Sequence, residues 1–170
     1  YRSMNIVSNS SPLIFLAKLG RLDVLNRLFD KVYIPQAVYN EVVLADKDDD
    51  ASHLIEEKIK TGQINRFKVQ NEVAIRTLLG RLHQGEVEAI IGAGELKINS
   101  VILDDLYARN KAKQLDLAVT GTLGILLLAY KRGLVEDLKS ELQKLIAAGY
   151  RISDALIQTV IREIEIDNRD

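Results

Sequence analysis

Short, compact apolar runs alternate along this chain with longer stretches in which apolar positions recur every three or four residues. Residues 5–9 (NIVSN), 31–35 (KVYIP), 64–69 (INRFKV), 100–105 (SVILDD) and 117–119 (LAV) have the length and bulk of strands. The clearest of them is Val101, Ile102 and Leu103, an unbroken buried run that ends on two aspartates. Helical spacing predicts helices over 13–29, 36–45, 51–62, 71–83, 85–97, 106–116 and 120–133, and two more over 136–149 and 153–165. Local punctuation agrees with these limits. Ser10 or Ser11 caps the first helix, with Pro12 in its first turn, and Gly20 splits that helix in two. Pro35 ends the second strand, Gly133 stops the helix before it, and the charge run at 46–50 (DKDDD) is a solvated loop.

Strands separated by helices require crossover connections, and these generate a parallel sheet covered on both faces. The expected architecture is a three-layer α/β/α sandwich around four to five short parallel strands. No repeat or linker divides the chain, so one domain is expected over 4–170, with the helices of 134–170 packed on it. Tyr1–Ser3 are expected to be an added tail before a native Met4, and no signal peptide is visible at this end.

Composition narrows the chemistry. Apolar residues make up 47% and charged residues 28%, enough apolar surface for a folded core. The longest apolar run, 123–130, is too short to span a bilayer, and cysteine is absent, which removes disulfides and thiolate metal sites. Cytoplasm is the expected compartment. A net charge of −1 offers no global attraction to nucleic acid, and the basic clusters Lys58, Lys60, Arg66, Lys68 and Arg109, Lys111, Lys113 are expected to be solvated faces.

In open α/β sheets, ligands bind beyond the carboxyl ends of the strands. The first strand delivers Ser8, Asn9 and Ser10 to that edge, the fourth delivers Asp104 and Asp105, and the last delivers Thr120, Gly121 and Thr122. Glu41, Glu86 and Glu88 lie on intervening helices. Oxygen donors from separate parts of the chain are what Mg²⁺ or Mn²⁺ prefers. Each piece also has a plainer explanation. The serines, Asp104 and Asp105 can be helix caps, and Glu41 can be solvated. Glu86 and Glu88, two residues apart on a helix, point different ways, so one of them faces a given site. The glycines at 92 and 94 lack dinucleotide-loop spacing, and His53 and His83 have no ligand partner in sequence.

The succession IVSNSSPLIFLAKLGRLDVL, VYIPQAVYNEVV, GEVEAIIGA, VILDDLYARNKA and VTGTLGILLLA resembles a bacterial and archaeal branch of the PIN-domain superfamily, from about Asn5 to Gly133. The resemblance implies a metal-dependent endoribonuclease using Mg²⁺ or Mn²⁺, in many members the toxin half of a VapC-type toxin–antitoxin pair. It puts the family's acidic positions on Asn9, Glu41, Glu86 or Glu88, and Asp104 or Asp105. Ser10, Ser11, Thr120 and Thr122 would line the edge, and Arg109 or Lys111 would hold the RNA backbone. Asn9 is the departure, because the family usually carries aspartate there and an amide brings no negative charge. The implied partners are RNA and a small antitoxin, with a homodimer through the apolar helices of 13–29. Two rivals remain: a PIN-like scaffold that binds RNA or protein without cleaving, and a phosphoacceptor receiver domain.

Overall fold

The computed structural model describes residues 4–169; the expectation for Tyr1–Ser3 lies outside them. Five strands, β1 (Asn5–Ser8), β2 (Lys31–Pro35), β3 (Asn65–Phe67), β4 (Ser100–Ile102) and β5 (Ala118–Thr120), form one sheet in the order β3-β2-β1-β4-β5. Every pairing is parallel. The chain builds outward from β1 to β2 and β3, then returns to the other side of β1 to add β4 and β5. The switch point therefore lies between β1 and β4, where Val7 pairs with Val101 and Ser8 with Ile102.

The two-residue period of the strands sorts their side chains into two cores. Ile6, Val32, Ile34 and Ile102 face one layer, built from α1 (Ser10–Lys18), α2 (Val24–Leu28), α3 (Gln36–Tyr39) and α4 (Asp50–Lys60). That layer also holds α8 (Thr122–Lys131), α9 (Leu138–Ala147) and α10 (Asp154–Asp167). Val7, Val101 and Leu103 face the opposite layer, where α6 (Gln84–Glu95) and α7 (Leu106–Gln114) contribute Val87, Ile90, Ala108 and Ala112. The short α5 (Glu72–Leu78) lies over the edge of that layer. The expected α/β/α sandwich is the observed one.

Gly20 breaks the first helical stretch with φ +68°, a conformation that favours glycine. Gly92, half of the discounted glycine pair, has a packing role: a Cβ there would lie 2.4 Å from the Phe67 ring. It lets α6 press against β3.

Several expectations change. Asn9, and neither serine, holds the N-cap position of α1, without a side-chain cap bond. The helix expected over 71–83 stops at Leu78. The helix expected over 36–45 widens after Tyr39 into a π-helical turn, Asn40–Leu44, in which Ala45 N–H donates to the Asn40 carbonyl at 3.0 Å. Ser52 Oγ donates to the Val42 carbonyl at 2.5 Å and fixes that turn to α4.

Of the stripe offered for a homodimer, residues 13–29, Leu13, Leu16, Leu25 and Leu28 are buried in the first core, while Ile14, Phe15 and Leu19 are partly exposed. The helices after 134 also pack on the fold, through Leu138, Leu142, Leu145 and Val160. Of the first basic cluster, Lys58, expected on a solvated face, is largely covered and pairs with Asp23, while the exposed Lys60 pairs with Glu56. Among the described residues, no helix is long and apolar enough to cross a membrane.

Candidate active site at the carboxyl edge of the sheet

β1 runs out at Ser8 and β4 at Ile102, and beyond them Asn9, Ser10, Ser11, Asp104 and Asp105 line a shared cavity of about 420 Å³. It is lined by Asn9, Ser10 and Ser11 from the first turn, Glu41 from the π-helical turn, Glu86 from α6, and Asp104 and Asp105 from the loop after β4. His83 completes the wall. Seven of the residues named from sequence thus come together.

The four carboxylates have different surroundings. Glu41 is exposed, with Oε2 held by Ser10 Oγ at 2.5 Å. Its other oxygen faces Gly85, where an added Cβ would lie 2.8 Å from Glu41 Oε1 and 3.0 Å from Asn9 Oδ1. Glycine at 85 is thus what admits both oxygens to the start of α6. Asn9 Oδ1 is buried and has no hydrogen-bond partner. An unpaired buried acceptor is costly, and a hard cation or a bound donor satisfies it.

Glu86 is 4% exposed, and its Oε1 accepts from the His83 backbone N–H at 2.9 Å. Burial pushes its carboxyl above the ordinary glutamate range; the charges of Asp105 and Glu41 push the same way, while the His83 N–H and ring oppose. Asp105 caps α7, accepting from Ala108 N–H at 2.9 Å. Its second oxygen remains open to the cavity, so here cap and site coexist.

Asp104 is different. Its Oδ1 accepts from Thr122 N–H at 2.7 Å and Tyr150 Oη at 2.9 Å, and its Oδ2 from Thr122 Oγ1 at 2.7 Å and Ser11 Oγ at 2.9 Å. A carboxylate has about four acceptor positions. All of them are filled by the protein. Tyr150 is held as a phenol, because burial first, and then the charge and hydrogen bond of Asp104, raise its pKa. Gly121 makes room for this knot: a Cβ there would lie 2.9 Å from Asp104 Oδ1.

Five residues named from sequence fall elsewhere. Thr122 is fully buried and donates twice to Asp104, so it is no edge contact for a ligand. Thr120 packs its hydroxyl over Gly124. Arg109 lies beside Gly121 and the Asp104 knot, with its Nε buried, and Lys111 sits in the last turn of α7; neither lines the cavity. Glu88 is buried on the other side of α6, accepting from Ala37 N–H at 3.2 Å and Gln84 Nε2 at 2.8 Å. Glu86, therefore, is the glutamate that joins Asn9 and Glu41. His83, Gly85 and Tyr150 were not legible as site residues; only the position of His83, just before GEVE, carried a hint.

The polar groups gathered around Asn9 are oxygens apart from the exposed His83, a donor set suited to Mg²⁺ or Mn²⁺. Among the described residues, no three carboxylates or histidines form a tight, ready-made cluster. The buried orphan oxygen of Asn9 beside Glu41 is the feature that fits a cation.

A parallel α/β/α sandwich with acidic side chains at the switch point beside its central strand is the PIN-like class of fold. The chain belongs to the PIN-domain family: residues 5–166 match the family model DUF3368, described as PIN domain. This is a nuclease-type superfamily whose members generally use divalent metal ions. Among solved structures, the chain is similar to a PilT N-terminus domain protein, SSO1118, from the hyperthermophilic archaeon Sulfolobus solfataricus P2. The two are 22% identical with a TM-score of 0.54, over 79% of this chain and 96% of that one, a likeness of fold. No curated protein matches.

Proposed function

We propose that this protein is a metal-dependent endoribonuclease that hydrolyses RNA phosphodiester bonds with Mg²⁺ or Mn²⁺. The observation that carries the reading is the buried, unpartnered Asn9 Oδ1 beside Glu41 Oε1, inside a cavity that Glu86 and Asp105 also enter. Asn9, Glu41, Glu86 and Asp105 would hold the ion. When bound, it supplies an acidified water and charge neutralisation on the phosphodiester.

The chain's own groups do the rest. Ser10 fixes Glu41 so that one oxygen is committed and the other faces Asn9. The His83 N–H occupies Glu86 Oε1, which leaves Oε2 for the ion. Asp104 is a positioning residue. It ties Ser11, the start of α8 and Tyr150 together and sets the height of Asp105 next to it. The chain beyond α9 takes part in this reading, because Tyr150 lies there and donates to Asp104 at the site edge.

The test is cleavage of a mixed RNA pool in EDTA, Mg²⁺ or Mn²⁺ by the wild type, Glu41→Gln and Asp105→Asn. Cleavage that needs the metal and is lost in both variants, at unchanged melting temperature, is the expected result. Full cleavage by both variants overturns the mechanism.

A second reading, a PIN-like module that binds RNA or protein without cleaving it, is favoured by one observation: an amide at position 9 in a set with no tight carboxylate cluster. No heat of Mn²⁺ binding by calorimetry would select it. A toxin role with a small antitoxin belongs to the nuclease proposal. Its test is growth arrest on expression, relieved by a neighbouring gene product.

A further inference from the structure

On the other side of the α6 N-terminus from the acidic cavity lies a second one, of about 380 Å³, within the roughly 300–1,000 Å³ range of small-molecule sites. The two share a wall. Asn40 and Gln84 line the second cavity, while their neighbours Glu41 and His83 line the first. Ala37, Val69, Ile75 and Leu79 give it apolar sides, and Gln36 and Asn40 add amides bonded to each other at 2.8 Å. At its base is Glu88, 5% exposed. Each Glu88 oxygen accepts one hydrogen bond from the protein, from Ala37 N–H and Gln84 Nε2 respectively. One acceptor position per oxygen is left over. Lys68 and Arg76 stand exposed at the rim; among the described residues neither has an ion-pair partner, and one acid, Glu72, lies with them.

A buried carboxylate with a spare acceptor on each oxygen, between apolar walls, calls for a flat ligand with two adjacent N–H donors on one edge. Among nucleobases, guanine has that edge, in its N1–H and N2 amino group. Cytosine and adenine pair one amino group with an acceptor, and uracil flanks its N–H with two carbonyls that a carboxylate repels. We propose that this cavity is a guanine subsite for single-stranded RNA, with Glu88 reading the base and Lys68 and Arg76 holding the adjoining phosphates. An unstacked base read on its Watson–Crick edge is the usual mode for single-stranded RNA. The inference rests on RNA being the substrate, and gives the proposed nuclease a base preference next to the cleaved bond.

The test uses the whole chain in EDTA, so that binding is read without cleavage. The probes are fluorescein-labelled U8 and two variants carrying a single central guanosine or inosine, followed by fluorescence anisotropy. Inosine lacks only the N2 amino group. The expected result is a preference of about tenfold for guanosine over inosine and uridine, the size of one good base contact. Glu88→Gln removes that preference and leaves U8 binding unchanged. Lys68→Ala and Arg76→Ala, both exposed and safe for the fold, weaken all three probes alike. Equal affinity of the wild type for the three probes overturns the subsite, even if Mn²⁺-dependent cleavage is intact. A Glu88-dependent guanosine preference without cleavage upholds the subsite and counts against the nuclease reading. If Glu88→Gln melts early, Gln84→Glu replaces it. The second carboxylate it sets against Glu88 changes the ratio of guanosine to U8 affinity if the subsite is real, and leaves that ratio unchanged if it is not.

Discussion

Asp104 and Asp105 are neighbours in the chain and opposites in the structure. Asp104 is enclosed by four donors that fill its acceptor positions. Asp105 spends one oxygen on a helix cap and keeps the other in a cavity with Glu41, Glu86 and the orphan oxygen of Asn9. The first region is a closed knot; the second is a set of groups left partly unsatisfied. The difference teaches that spare acceptor capacity, more than proximity to the site, separates a carboxylate with room for a ligand from one that holds the fold.

The sharpest way to break the comparison is to treat the two aspartates alike. Asp105→Asn and Glu41→Gln should each cut metal-dependent cleavage by 100-fold or more, roughly the scale of a lost catalytic or metal-organising group. Both should melt within a degree or so of the wild type, since asparagine caps a helix as well as aspartate does and a glutamine at the exposed position 41 still accepts from Ser10. Asp104→Asn should instead cost about 3 kcal/mol, because its new amide N–H₂ faces hydroxyl and N–H donors in a buried network. For a chain of this size that is a drop of roughly 6–12 °C in melting temperature. Equal stability of the two asparagine variants would dissolve the distinction.

A smaller effect is expected from Tyr150→Phe, which removes one of the four donors to Asp104. About 1–2 kcal/mol should be lost, with cleavage per folded molecule unchanged. Smallest, and of opposite sign, is Glu86→Gln in EDTA. The folded-state pKa of Glu86 is raised, so the wild type gives up stability as pH rises through that value. The glutamine variant should therefore melt higher than the wild type at pH 7. The advantage should fade as the pH falls through the raised value and be gone below the ordinary glutamate range. A variant that melts lower at pH 7 would show that the cavity does not disfavour the charge.

Most of the fold was legible because burial imposes periodicity. Val101, Ile102 and Leu103 must be a two-sided strand, and Ile6 and Val7 do face opposite layers. The site was legible only as a set of candidates at the sheet edge. Choosing Glu86 over Glu88 requires knowing that α6 begins at Gln84, since two residues on a helix differ by about 200° in direction. Separating Asp104 from Asp105 requires Tyr150, 46 residues away, which no local pattern points to. The π-helical turn that carries Glu41 was hidden for a related reason. Its apolar positions, Val42 and Val43, suit an α-helix equally, and it is held by Ser52 from the next helix.

The central pairing of β1 with β4 joins Val7 to Val101, and so has a consequence in time. A ribosome adds about 5–20 residues per second. Strands β1 to β3 are therefore complete for a few seconds before the strand that closes the inner edge of β1 has been made. During that interval any sheet formed by β1 to β3 has the inner edge of β1 unpaired, and loop closure over such a span makes its pairing slow. The acidic cavity straddles this seam, so its lining is incomplete until the loop after β4 has been made. A chain that stops short of β4 carries Asn9 and Glu41 without the loop that holds Asp105.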